Sequence, residues 1–373
     1  MTFSLHERFR KLTRFLALLV LLLAAALSAQ DAQFRELVDK ERRGALTDEE
    51  RETLRSTALR LREPYLQQNP PRESTGLIPL PDLRAESYLG EQGGLYPGGA
   101  NTPPPAHLQA GMKIAERIVP LNQSGRDPGP NHTTTADARI VFLALGMSNT
   151  SLEFQTFRRL AYADPDRNPL VAFVNGAQGG QTVDRMIAPE GGYWKEVDAR
   201  LRDGDYTREQ VQIAWLKNTL AGPQPAFPSS SRRLQELLVK TLQVMSERFS
   251  NLKIVYLSSR IYGGYAMGPL NPEPWSYESG FAVKWAIADQ IAGKPELNFD
   301  ASVGVVRAPW IAWGPYLWAD GLRGRLGDGL VWRREDLTID DGTHPSGKGR
   351  ERVARLLLEF LKSDPTSRSW FVR

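Results

Sequence analysis

Near the C-terminus the run Asp340-Asp341-Gly342-Thr343-His344-Pro345 places a carboxylate three residues before an imidazole. Within one loop, Asp341 can hold Nδ1–H of His344 and leave Nε2 free to draw the proton from a hydroxyl. Asp340, four residues before the ring, projects differently. Histidine is scarce: of the four in the chain, His6 lies in the basic N-terminal start, and His107 and His132 lie in Pro-rich and polar stretches. His344 alone stands in the strand-and-helix segment with an acid beside it. The same Asp-Gly-Thr-His run would also serve as a turn ahead of a helix from about 347.

A hydroxyl to partner that base is offered by Ser148, in Gly146-Met147-Ser148-Asn149-Thr150. It follows the apolar run Ile140–Leu145 and precedes a helical pattern, so the amides of a new helix would face an oxyanion formed there. Taken alone, a serine at that place is an ordinary helix N-cap. After a second apolar run comes Asn175-Gly176-Ala177-Gln178-Gly179-Gly180-Gln181-Thr182, whose glycines either let the backbone approach a substrate or make a tight turn. After a third comes Trp215-Leu216-Lys217-Asn218-Thr219, where Asn218 can donate its side-chain amide to an oxyanion or close a turn. Three loops after three successive strands thus offer a hydroxyl, a glycine amide and an amide side chain, and a fourth offers acid and base.

The elements that must carry these groups are short apolar runs alternating with helices. The runs are Ile140–Leu145, Leu170–Val174, Val211–Leu216, Ile254–Leu257 and Val303–Val306; helical patterns follow at 150–162, weakly at 182–187, and at 229–248, 276–292 and 347–363. The Ser229–Ser231 cluster can cap the helix at 229, and Gly293 ends the one from 276. Alternation of this kind gives right-handed crossovers and a parallel sheet covered on both faces, a three-layer α/β/α domain. In such sheets reactive groups gather beyond the carboxyl ends of the strands, where strand order reverses.

Order and placement of these groups resemble the SGNH hydrolase (GDSL-like lipase/esterase) superfamily, named for Ser, Gly, Asn and His in four blocks. Ser148 fits the first block, Gly180 the second in the context Gly180-Gln181-Thr182, Asn218 the third, and Asp341 with His344 the final D-x-x-H. The resemblance spans roughly residues 138–363. Met147 stands where Asp is usual, and Leu216-Lys217-Asn218-Thr219 where Gly-x-Asn-Asp is usual, which marks a divergent secreted subgroup. The resemblance implies a flavodoxin-like, mainly parallel five-stranded sheet. It implies carboxylic-ester hydrolysis by a Ser148–His344–Asp341 triad, with the amides of Ser148 and Gly180 and the Asn218 side chain as oxyanion hole, and no metal or cofactor.

Residues 1–29 read as a signal peptide: a basic start, the apolar run Phe15–Leu27, and small residues before Gln30. This predicts a secreted or periplasmic protein, with a membrane anchor as the alternative. Removing that segment's four Lys/Arg and one Glu from the chain's 47 and 43 leaves a formal charge of +1, which gives no reason to invoke nucleic acid. The absence of cysteine excludes disulfides, thiolate metal sites and a cysteine nucleophile. Residues 30–137 read as an N-terminal helical arm, with a helix start at Thr47-Asp48-Glu49-Glu50, followed by a Pro/Gly-rich wrap and a helix at 106–118; residues 138–373 form the hydrolase-like domain.

Four other readings compete. An α/β-hydrolase would use Gly146-x-Ser148 as half of its nucleophile elbow, but Thr150 replaces the second Gly and no strands precede it. A metallohydrolase lacks a ligand set. A non-catalytic carbohydrate-binding protein on the same fold, or a lipid-acting enzyme, stays open. Trp310, Trp313, Trp318 and Trp332 could stack on sugar rings of an acylated carbohydrate, or fill a core.

Overall fold

The computed structural model describes residues 31–129, 137–222 and 224–373. The signal-like segment and His132 lie outside them. Five parallel strands form the central sheet: β1 (Ile140–Gly146), β2 (Val171–Asn175), β3 (Val211–Lys217), β4 (Ile254–Leu257) and β5 (Trp310–Trp313). Their spatial order is β2-β1-β3-β4-β5, the flavodoxin-like order, in which strand order reverses between β1 and β3. The register pairs Gly146 with Lys217 and Leu145 with Leu216. β1 and β3 are buried along their whole length, so they read as continuous apolar runs rather than alternating ones.

Helix α1 runs over 31–43 and α2 spans Asp48–Leu66, the latter opened by a Thr47–Glu50 capping box. Helix α3 spans Pro105–Ala115. In the α/β domain α4 is Ser148–Ala163, α5 Gly192–Asp203, α6 Ser229–Arg248, α7 Trp275–Ile291 and α8 Gly347–Ser363. α4 packs against α8 on one face of the sheet, over a cluster of Phe142, Phe154, Phe157, Phe173 and Trp370. α6 packs against α7, and Trp194 of α5 meets Phe249 just beyond α6. The three-layer α/β/α fold follows.

The fifth strand differs from expectation. Val303, Val305 and Val306 are exposed in a loop turned by Asn298 and Asp300, whose side-chain oxygens accept from Asp300 N and Ser302 N. The strand is Trp310-Ile311-Ala312-Trp313, and Trp310 packs flat against His107 while filling the space beside Gly111. β-Branched composition favoured the valines, but burial decides which run pairs. The Ser229–Ser231 cluster also does not cap α6: Pro228 is the N-cap, and Ser231 Oγ donates instead to the Glu278 carbonyl on α7. α5, preceded by a glycine-rich stretch, went unread. The Pro/Gly-rich wrap is anchored by polar side chains from the domain: Asp320 accepts from Thr75 N (2.7 Å) and Gly76 N (2.9 Å), and the buried Lys284 ammonium donates to the carbonyls of Gln92 and Gly93.

Candidate active site

The groups singled out in the sequence all lie at the carboxyl end of the sheet, around the switch between β1 and β3. Gly146 ends β1 at φ +153, and a Cβ there would fall 2.1 Å from the Lys217 carbonyl, so only glycine lets the two strand ends approach this closely. Thr150 Oγ1 donates to that same carbonyl at 2.6 Å. Met147 is the N-cap of α4 and Ser148 its first helical residue, with no side-chain cap. The Ser148 hydroxyl is therefore free of capping duty, and Oγ stands 2.7 Å from His344 Nε2.

His344 is held from both sides. Its Nδ1 lies 2.5 Å from Asp341 Oδ2. The other carboxylate oxygen accepts from the amides of Thr343 (2.8 Å) and His344 (3.0 Å) and from Thr338 Oγ1 (3.0 Å). The loop is closed by Thr338 N donating to the His344 carbonyl at 2.8 Å. Gly342 permits the turn at φ +63, where a Cβ would lie 1.9 Å from the Tyr265 carbonyl. Asn149 Nδ2 donates to the Thr343 carbonyl at 3.1 Å, tying the start of α4 to this loop. Helix α8 is capped by Ser346, not by the Asp-Gly-Thr-His run.

Burial opposes ionisation of Asp341, but the His344 ring and the loop amides outweigh it and hold its carboxyl well below the usual range. Its neighbour Asp340 moves the other way: burial, and then the charge of Asp341, push it up. Two adjacent carboxyls are thus drawn apart, and the one held low faces the imidazole.

On the opposite side, Gly180 sits in an exposed turn at φ +70 with open space where a side chain would be. Asn218 is buried; its Nδ2 donates to the Gln181 carbonyl at 3.1 Å and to Met186 Sδ at 2.9 Å, while its Oδ1 accepts from Thr219 N at 2.7 Å. The Asn218 side chain therefore fastens the Gly180 loop to the end of β3.

Residue-type reasoning passed over a buried ion pair directly beneath. Lys217 Nζ meets Glu153 Oε1 and Oε2 at 2.6 and 2.5 Å, with both side chains at most 1% exposed. It joins the residue before Asn218 to α4, one turn and a half beyond Ser148. Burial pushes Lys217 down to about 8 against the pull of Glu153. A charge ending a buried, mostly apolar strand was the available signal. Of the remaining histidines, His107 is buried, its Nε2 2.9 Å from the Ile311 carbonyl. Trp310, Trp313, Trp318 and Trp332 are buried as well, with indole N–H groups spent on His107 O, Leu95 O, Glu273 and Leu317 O. They fill core and present no face to a sugar. Among the described residues no group of three or more His, Asp or Glu is arranged to hold a metal ion, and no helix is long and apolar enough to cross a membrane.

No protein-family model matches the chain, and no curated protein sequence matches it. Solved structures do. The likeness is to SGNH hydrolases and acyl-transferring enzymes. One is a protein assigned to the SGNH hydrolases from Slackia heliotrinireducens, at 16% identity over 60% of this chain and 99% of that one, with a TM-score of 0.31. An extracellular lipase from Streptomyces rimosus matches at 13% identity over 58% of this chain and 99% of that one, TM-score 0.28. A salicylyl-acyltransferase from a tetracycline biosynthetic pathway matches at 14% over 62% and 57%, TM-score 0.32.

Proposed function

We propose that this protein is an exported serine esterase of the SGNH type that hydrolyses acyl esters. The observation that carries the reading is the unbroken line Ser148 Oγ–His344 Nε2 (2.7 Å) and His344 Nδ1–Asp341 Oδ2 (2.5 Å), with an ionised acid at its end. Ser148 attacks the acyl carbonyl while His344 takes its proton; the ring then protonates the leaving alcohol, and Asp341 stabilises the imidazolium. Water repeats the sequence on the acyl-enzyme. The amides of Ser148 and Gly180 and the Asn218 side chain are the proposed oxyanion donors. Losing one such donor costs about 3–4 kcal/mol of transition-state stabilisation. For Asn218 this role requires one amide hydrogen to leave its present acceptor, since Nδ2 donates to both the Gln181 carbonyl and Met186 Sδ.

The test is turnover of p-nitrophenyl acetate by the full-length protein, with Ser148→Ala and a phosphonate probe alongside. Removing the hydroxyl leaves no cavity at the start of α4 and no cap is lost, so folding is retained. A loss on the order of a million-fold in kcat is expected, and His344→Ala should be nearly as severe. The phosphonate should label Ser148 in the native protein and fail on His344→Ala. Unchanged turnover in Ser148→Ala would leave a binding protein as the better account.

A further inference from the structure

The arm formed by α1 and α2 has no part in the chemistry described above, yet it reaches the loop that carries it. Glu41, near the end of α1, accepts from the Ile339 amide through Oε1 at 2.8 Å, two residues before Asp341. On the far shoulder, Arg350 of α8 donates from Nε to the Pro345 carbonyl and from Nη1 to the Arg42 carbonyl, both at 2.9 Å. Pro345 directly follows His344. The last turn of α1 therefore grips both ends of the segment holding acid and base. Leu37 and Val38 of α1 and Leu54 of α2 pack with Ile339 in a small apolar cluster separate from the main core. Lys40 Nζ to Glu50 (2.6 Å) braces α1 against α2. Beyond Ile339 a groove lies between the arm and Tyr265, Arg334 and Lys348.

The domain holds the loop at its middle, where Met267 N donates to the Asp341 carbonyl at 2.7 Å and Asn149 Nδ2 to that of Thr343 at 3.1 Å, and the arm holds its shoulders. The Asp341–His344 contact is local, but its place relative to Ser148 depends on where the 338–345 loop sits. Arg334 holds the Ile339 carbonyl from the domain side (3.3 Å), leaving the amide to Glu41. We propose that Glu41 is a positioning residue for the Asp341–His344 pair, acting through the Ile339 amide, and that the N-terminal arm is a clamp required for the aligned triad. The rate consequence rests on the esterase reading; the ordering of the loop does not.

The experiment uses the full-length protein with Glu41→Ala, Glu41→Gln and Arg350→Ala, and measures kcat and KM for p-nitrophenyl acetate, thermal stability, and hydrogen exchange of the amides of residues 339–344. Glu41→Ala should lower kcat by about ten- to a hundredfold, the cost of a misplacement near 1 Å, with KM unchanged. Exchange at 339–344 should accelerate, while exchange in β1 and β3 stays as in the parent. Glu41→Gln keeps an acceptor oxygen and should restore both. Parent-like kcat and exchange in Glu41→Ala would overturn the inference. So would a loss in which kcat, KM and melting temperature move together and Gln gives no rescue. If Glu41→Ala does not fold, Arg350→Ala applies the same criteria at the other shoulder. A parent protein that hydrolyses no ester would end the esterase reading, and the exchange data would still decide the clamp.

Discussion

Replacing Asp341 by Asn tests the reasoning where it is most exposed, because the change is isosteric and its effect depends on orientation alone. One carboxylate oxygen accepts from two backbone amides and the Thr338 hydroxyl. Those three donors will keep an oxygen on their side, since turning an NH₂ toward them would set donor against donor. The new amide hydrogens must then face His344 Nδ1. The ring is forced into the tautomer protonated at Nε2, which can donate to Ser148 Oγ but cannot take its proton. A wrong-tautomer loss in this arrangement is about 10⁴ in kcat, equivalent to about 5.4 kcal/mol at 1.36 kcal/mol per tenfold. KM should barely move. Steady-state kinetics on p-nitrophenyl acetate read this directly. The variant should also lose an acid limb from its stability profile. The folded carboxyl of Asp341 is depressed, so its contribution is present above the unfolded carboxylate range and lost as pH falls. Asp340→Asn provides the contrast. Its folded carboxyl is raised, so in the parent it lowers stability as pH climbs through the window between unfolded and folded values. Removing it should leave kcat near that of the parent and raise stability slightly at neutral pH. Retention of kcat within tenfold in Asp341→Asn, or a larger loss in Asp340→Asn, would refute the assignment of the orienting acid.

Lys217→Met alone strands the Glu153 carboxylate in the core and should destabilise by about 3–5 kcal/mol, whereas Glu153→Leu with Lys217→Met should recover most of it; urea melts of the three proteins decide this. Gly146→Ala must push its methyl into the Lys217 carbonyl, so it should yield little folded protein, measured as soluble yield and circular dichroism. Val303→Ser should change stability by no more than about 0.5 kcal/mol by the same melts, since the side chain is 79% exposed. N-terminal sequencing of secreted material should place the mature start close to Gln30, and an intact Met1 on a membrane-bound product would overturn the signal-peptide reading.

The fold was legible where sequence and burial speak with one voice. Ile140–Leu145 and Val211–Leu216 are buried on both faces, as suits central strands of a parallel sheet. Helix limits at Ser229–Arg248 and Gly347–Ser363 followed from periodicity. Legibility failed where local preference and tertiary context disagree. Valines at 303–306 carry strand propensity, but Asn298 and Asp300 bend the chain into solvent, while Trp310–Trp313 owes its place to His107 and Gly111 some two hundred residues earlier in the chain. The serines that open α6 read as caps, but Ser231 bonds the Glu278 carbonyl on α7 instead. In the candidate site, the Asp341–His344 contact is local and follows from spacing, whereas the approach of Ser148 could be inferred only from its position at a strand end. Contacts such as Glu41 with Ile339 have no local signature at all, since a glutamate in a charged helix looks like any solvated one.

The Ser148–His344 contact joins residues 196 apart in sequence. A chain built from its N-terminus presents Ser148, β1 and most of the sheet long before His344 emerges. Until α8 docks against α4, the hydroxyl has no base and is an ordinary serine, inert toward esters it meets on the way. Closing so distant a pair is also slow, because loop-closure entropy must be overcome before the contact rewards it. On the proposed esterase reading, reactivity is thereby the last property the molecule acquires, and ester turnover would be a direct clock for the final step of folding.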